Sequence, residues 1–431
     1  MRRATDKSGL ALEQRKNAMA KAIISQYLEK YAEPEAGLAR QLFAINSISL
    51  THFKHVLVIP TFNERINFVE RLAMHTNPSE ILLILVINQT DGQPNWEQNR
   101  QLYRKICAEA REQSQSGNLN YVHFKRLPAL LVDRFSHGRT IPSKQGVGLA
   151  RKIGCDIAVQ LISQQTVQSQ WIHSSDADAR LPDNYFSAST EVIKASAQVF
   201  DFEHIQTANA TKENSTTEEV FTATQKYEQA LHYYRRGLAW AGSPYAFHTL
   251  GSCIAVDYQA YCHVRGFPKR AGGEDFYLLN KLAKIGAIID NPSVKITIDA
   301  RLSNRVPFGT GPAVQKIIDL EQDRQIYTYY NPGIFALLRL WISYCTQTLS
   351  RRFHHNNGIP LRLFCAANHL GFFAFIDHAR AHCNNQQAFI NQFHQWFDGF
   401  LTLKFMHYFR QSHLQDLPLE RAINIFNDYN S

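Results

Sequence analysis

Asp176-Ala-Asp178 places two carboxylates two residues apart, directly after a short apolar run and just before Leu181-Pro182. Carboxylates at i and i+2 past a strand end can reach one hard divalent cation, which takes oxygen ligands and keeps positions for water and diphosphate oxygens. The same spacing also serves as a plain turn in which aspartates bond backbone N–H groups. Gly272-Gly-Glu274-Asp275 opens a helical pattern that runs to Gly286. An acidic pair on a first helical turn compensates the helix dipole. Held beside a substrate, the same pair can supply a general base for a hydroxyl. A third group, Pro60-Thr61-Phe-Asn63-Glu64, ends an apolar run. It either starts a helix with Asn63 as N-cap or offers backbone and polar side chains to a nucleobase or ribose.

These groups need elements that bring them together. His55–Pro60 and Ile81–Ile87 are continuous apolar runs around a polar helical stretch, Glu64–Met74, which is the pattern of parallel strands buried on both faces. A polar helix over Trp96–Gln113, a strand over Asn120–Phe124, a helix over Gly146–Gln164 and a strand over Gln170–His173 continue the alternation. In an open parallel sheet ligands sit outside the carboxyl ends of the strands, so the loops after Ile59, Ile87 and His173 should meet at one crevice.

Residues 1–50 carry Leu10, Leu12, Ala18, Ala20, Ile23, Ile24, Tyr27 and Leu28 near a helical period and are expected to form a helical N-terminal extension. Asn209–Glu219 is polar and turn-rich, which predicts a mobile loop before a helix from Phe221 to about Arg236. From Ala313 onward the chain is aromatic and helical in pattern, as at Ile326–Tyr330, Phe372–Phe375 and Phe393–Phe397. Helix-spaced rings belong chiefly to a core, and His263, His378 and His394 take the same default. The expected division is therefore 1–50, a central α/β domain over 51–312, and a helical subdomain over 313–431.

With 45% hydrophobic and 19% charged residues over 431 positions, the chain can bury a large core, and a disordered or fibrous class is excluded. The net charge of +9 favours anionic partners. Basic pairs such as Arg235-Arg236, Lys269-Arg270 and Arg351-Arg352 are scattered, so no nucleic-acid partner is expected. Seven cysteines without a C-x-x-C spacing point to reduced, mostly buried thiols in a cytoplasmic protein. Met1–Lys7 is followed by no apolar leader segment, and Arg339 interrupts the longest apolar stretch, Gly333–Tyr344; neither a signal peptide nor a spanning helix is expected.

In order along the chain, Pro60–Glu64, Asp91-Gly92, Gly146–Gly154, Trp171–Pro182, Gly251–Phe267 and Gly273–Gly286 resemble the motifs of GT-A fold glycosyltransferases of the family 2 type. The resemblance covers about residues 54–305. It implies an α/β fold with a Rossmann-like, mostly parallel sheet flanked by helices, followed by the helical C-terminal subdomain. It also implies a UDP or GDP sugar donor and Mn2+ or Mg2+, with Asp178 as the direct metal ligand and Asp176 beside it, nearer the ribose or donor sugar. Thr61 and Glu64, in the turn with Pro60 and Asn63, fall where the family holds the nucleoside. Arg151 falls in the helix flanking the donor phosphates and sugar, and Asp275 takes the place of the base, with Glu274 next to it.

The family ends its second strand with Asp-Asp-Gly-Ser, whereas this chain reads Asn88-Gln-Thr-Asp91-Gly92. Either Asp91 takes the role after a one-residue shift, or Asn88 bonds the base as a neutral group. Arg301 and Arg305, before a Gly-rich end, either clamp phosphate or belong to a solvated loop. The expected activity is metal-dependent transfer of a sugar to a polar or lipid-linked hydroxyl acceptor, with inversion, in the cytoplasm and in peripheral contact with the inner face of the membrane. The alternatives are a retaining GT-A enzyme acting on a small phosphorylated acceptor, or an inactive scaffold binding glycans or anions. A sugar nucleotidyltransferase would carry a Gly-rich loop where Thr61-Phe-Asn-Glu64 stands.

Overall fold

The computed structural model describes residues 3–45, 52–93, 97–192, 194–206, 215–303, 309–354 and 358–429. The chain divides into two compact units, Met1–Glu203 with Thr249–Asp299 and His204–His248 with Ala300–Ser431.

The first unit is an α/β unit built on a ten-stranded sheet. Its strands are β1 (His55–Thr61), β2 (Ile81–Asn88), β3 (Ala110–Ser116), β4 (Leu119–Phe124), β5 (Leu127–Arg134), β6 (Trp171–Ser174), β7 (Ala179–Arg180), β8 (Ala197–Ile205, whose last two residues count with the second unit), β9 (Ile254–Asp257) and β10 (Ile288–Asp299). The order across the sheet is β3-β4-β5-β2-β1-β6-β9-β8-β10-β7. At its centre β1 runs parallel to β2 and β6, and β2 runs parallel to β5. Every residue of β2 is buried, as two covered faces require. Antiparallel pairing extends the sheet on either side, through β4 and β3 on one and β9 and β8 on the other.

The helix Gly146–Ser163 is buried along most of its length. A Cβ on Gly154 would sit 2.4 Å from Val58 Cγ1, so only glycine lets this helix approach β1 so closely.

Several local expectations are corrected. The helix after β1 spans Asn67–Ala73 and does not begin at Glu64: its N-cap is Ile66, and Asn63, at φ 57°, belongs to the turn before it. The helix placed over Trp96–Gln113 is observed over Glu97–Glu109, Trp96 lies outside the described residues, and the chain then becomes the exposed edge strand β3. β5 is an additional buried strand. Residues 1–50 are not one helix: Arg3–Lys30 is followed by a second helix beginning on Pro34, Pro34–Ile45. Tyr27, Ala39, Leu42 and Phe43 of these helices are buried.

The second unit is mainly helical, with Ser215–Trp240, Thr310–Gln322, Pro332–Ser343, Leu361–His369, Phe372–His382, Gln386–Trp396, Gly399–Ser412 and Leu419–Asp428 among its helices. The aromatic pattern is chiefly core: Trp341 lies 4.7 Å from Phe372, ring centre to ring centre, and Tyr233 donates to the Tyr330 carbonyl at 2.8 Å. Ile326–Tyr330 is not helical, since Thr328-Tyr329 pairs antiparallel with Leu417-Pro418. His263 and His378 are exposed and not core. Of the segment Asn209–Glu219 read as a mobile loop, residues 209–214 lie outside the described residues and the rest is helical, since the helix expected from Phe221 to about Arg236 spans Ser215–Trp240.

All seven cysteines are free thiols, five of them buried. Among the described residues no helix is long and apolar enough to cross a membrane.

Candidate active site

Arg151 is the hub. It projects from the second turn of the helix Gly146–Ser163 and is 3% exposed. Its Nε donates to Glu274 Oε1 at 3.1 Å, and Nη2 donates to Asp176 Oδ1 at 2.8 Å. Nη1 donates to Ser174 Oγ at 2.8 Å and to the Gly251 carbonyl at 3.0 Å. One guanidinium thus ties the loop after β6 to the helix Glu274–Leu282. Burial by itself lowers the arginine's proton affinity, but Asp176, Glu274 and Asp275 more than reverse this, and the group stays a cation. A Cβ at Gly251 would lie 2.5 Å from Nη2, so glycine there leaves room for the guanidinium.

The Asp176–Asp178 turn is held from several sides. Ala179 N–H donates to the Asp176 carbonyl at 3.2 Å, and Asp299 N–H donates to the Asp178 carbonyl at 3.0 Å. Asp299 arrives on β10, which pairs with β7, and its carboxylate takes both Nε and Nη2 of Arg180, at 3.1 and 2.7 Å. Arg71, from the helix after β1, donates to the carbonyls of Ala177 and Ala179 at 3.3 and 3.2 Å. Asp176 and Asp178 are both partly exposed, whereas Ser174 and Ser175 before them are buried.

Gly273, at φ 68°, turns the chain into the helix on which Glu274 and Asp275 form the first turn. Glu274 is buried and paired with Arg151. Asp275 is partly exposed and accepts the Phe276 N–H at 2.7 Å. Its carboxyl is pushed up to about 7, first by burial and then by the charge of Glu274, against the pull of the Phe276 N–H and Arg151. A carboxylate that titrates near neutrality can take up or release a proton at working pH.

At the ends of β1 and β2, Asn99 ties the loops together by accepting the Asn63 N–H at 2.8 Å and donating to the Asn88 carbonyl at 3.1 Å. Asn88 donates its amide hydrogens to the carbonyls of Thr61 and Val86, at 3.0 and 3.2 Å. Asp91, exposed, accepts from the Thr140 hydroxyl. The Glu64 carbonyl takes the Gln98 amide at 3.2 Å, and Pro60 is paired inside β1 with Val86. Thr61 Oγ1 and Ser175 Oγ are buried and bond no protein group.

The loops after β1, β2 and β6 therefore lie at the carboxyl ends of three adjacent parallel strands, and Arg151 joins Asp176 to Glu274 there. Arg301 belongs to the second unit, and Arg305 lies outside the described residues. Reading the sequence alone assigned no role to Arg71, Ser174, Ser175, Gly251 or Asp299. Of these, Ser174 and Ser175 lie inside the motif stretch Trp171–Pro182 and Gly251 opens the stretch Gly251–Phe267, and that was their only signal.

No protein-family model matches the chain, and no curated protein matches its sequence. Solved structures similar to it include two with a nucleotide or nucleotide sugar and Mn2+. One is the mannosyltransferase PcManGT from Pyrobaculum calidifontis in complex with GDP-Man and Mn2+, at 14% identity and a TM-score of 0.33, over 86% of this chain and 97% of that one. The other is GalNAc-T7 with UDP, GalNAc and Mn2+, at 12% identity and a TM-score of 0.34, over 85% of this chain and 59% of that one. Both likenesses are distant and do not bear on which residues act.

Proposed function

We propose that the carboxyl ends of β1, β2 and β6 carry the active centre of a metal-dependent GT-A glycosyltransferase that moves a sugar from a nucleotide-diphosphate donor to a hydroxyl of a polar or lipid-linked acceptor. The reading places the enzyme in the cytoplasm, in peripheral contact with the inner face of the membrane. The observation that carries the chemistry is the Arg151 bridge, which brings two acidic motifs from distant parts of the chain to one place.

The residues present suit a hard divalent cation. Asp178 and Asp176 supply carboxylate oxygens at alternate positions of one turn, and the buried hydroxyls of Ser175 and Thr61 are unsatisfied at neighbouring strand ends. As the resemblance implies, Asp178 is the principal ligand in this reading, with Asp176, one oxygen of which accepts from Arg151, beside it. Bound there, Mn2+ or Mg2+ would neutralise charge on the diphosphate leaving group.

In this reading Asp275 is the base. The acceptor oxygen bonds to the anomeric carbon as the bond from that carbon to the diphosphate oxygen breaks, the nucleoside diphosphate leaves, and the hydroxyl proton passes to the Asp275 carboxylate. Attack opposite the leaving group inverts the anomeric carbon, which proton NMR of the first product reports. Arg151 holds Asp176 and Glu274 still while this occurs, and its donors are already engaged by protein acceptors. The turn around Thr61, Asn63, Glu64 and Asp91 holds the nucleoside.

The test is hydrolysis of UDP- and GDP-sugars with and without Mn2+. The reading expects Mn2+-dependent turnover that is lost in Asp178→Ala, and turnover indifferent to both would refute it.

A further inference from the structure

Three large apolar side chains of the second unit stand in solvent on two successive helices. Leu361 is 90% exposed, Phe364 46% and Phe373 41%, and the rings of Phe364 and Phe373 lie 5.6 Å apart. They sit on Leu361–His369 and Phe372–His382, whose other faces supply buried core residues Leu363, Ala366, Phe372 and Phe375. Burying such side chains is ordinary, so a cluster left outside on otherwise well-packed helices marks a contact surface.

Charge says what kind of contact. From Arg324 to Ile376 the sequence has no carboxylate at all, while it carries Arg324, Arg339, Arg351, Arg352 and Arg362. Arg362 is exposed beside Leu361, and Arg351 and Arg352 are exposed on the segment leading to it. The next acid, Asp377, has Arg380 at 3.7 Å. Apolar side chains that reach outward, flanked by guanidinium groups and without nearby acids in sequence, match an anionic lipid surface: the rings enter the headgroup layer and the arginines meet the phosphates. We infer that Leu361, Phe364 and Phe373, with Arg362, form a docking face for an anionic membrane. This deepens the reading of peripheral membrane contact and does not depend on the sugar-transfer chemistry.

The test is co-sedimentation of the full chain with vesicles of phosphatidylglycerol and phosphatidylcholine, and with phosphatidylcholine alone. Binding is expected to the anionic vesicles and to weaken at about 0.5 M salt. The double variant Phe364→Glu, Phe373→Glu should lose about tenfold or more of the binding, and Arg362→Glu roughly fivefold. Because these side chains are exposed, thermal denaturation should show both variants folded. Equal binding to neutral vesicles, no vesicle binding, or unchanged binding by the double variant would overturn the inference. Self-association abolished by the same substitutions, without vesicle binding, would also overturn it and assign the face to a second copy. Nucleotide binding measured in parallel keeps the two readings apart, since either can fail without the other.

Discussion

Arg151 and Lys152 are neighbours on one helix, and each ends in a buried ion pair, yet the two pairs are built differently. Lys152 donates to Asp156 Oδ2 and to the Tyr27 hydroxyl, both at 2.8 Å, and Tyr27 and Tyr261 donate to Asp156 Oδ1 at 2.5 and 3.1 Å. Every member of that network is buried. It is closed, and it fastens the helix Arg3–Lys30 to the sheet-bound helix. Arg151 also reaches a buried acid, Glu274, but its other carboxylate partner, Asp176, is partly exposed, and Asp275 and Asp178 beside these acids are partly exposed too. The contrast teaches that a buried ion pair alone marks architecture. An ion pair with one side open at the carboxyl ends of parallel strands marks a place where a ligand can be held.

Substitutions in the two networks should therefore separate stability from activity. The largest effect is expected from Asp275→Asn, which keeps the shape but cannot accept a proton; sugar transfer should fall by about 10²–10⁴-fold, measured as initial rate at saturating donor. Arg151→Met leaves Glu274 buried without its cation, so urea denaturation should show a loss of about 3–5 kcal/mol, and activity should disappear in whatever remains folded. Asp156→Ala strands Lys152 in the same way and should cost a similar about 3–5 kcal/mol, but the folded fraction at low temperature should retain donor turnover. Equal activity losses in the Arg151 and Asp156 variants would erase the distinction between the open and closed networks. Tyr27→Phe removes both the bond the hydroxyl donates to Asp156 and the one it accepts from Lys152, and should cost about 1.5–3 kcal/mol, with turnover unchanged.

The smallest effect is a pH dependence. Asp275 binds its proton more tightly in the folded state than in the unfolded one, where its value is 3.8. Between that value and about 7 the native state holds the extra proton, so this residue's contribution to stability falls as pH rises through the window. Asp275→Asn should therefore raise Tm relative to the parent chain more at pH 8 than at pH 5. Transfer by the parent chain should rise across the same range, as the base becomes available.

Much of this was legible in the residues. β1 and β2 were plain as continuous apolar runs, and Asp176, Asp178 and Asp275 stood out at ends of elements. β3 was not, because Ala110–Ser116 is polar, exposed on an edge and lacks clean alternation. β5 was hidden by Pro128, which sits near the start of the strand in a place where proline is tolerated. The two strand residues Thr328-Tyr329 looked helical because an aromatic cluster gives no period over so short a span. The Arg151 bridge could not be read at all, since its partners Asp176 and Glu274 are 25 and 123 positions away and only the fold joins them. The left-handed turn at Asn63 was equally invisible, because it depends on Asn99 holding its N–H.

The central claim is that Asp178 holds a cation that in turn holds a nucleotide diphosphate, and thermal denaturation tests it without any knowledge of the acceptor. A ligand bound by the native state alone raises Tm. The account predicts that UDP or GDP raises Tm when Mn2+ is present, raises it far less without the metal, and has no metal-dependent effect in Asp178→Ala. An equal rise without Mn2+, or an undiminished rise in Asp178→Ala, would contradict it.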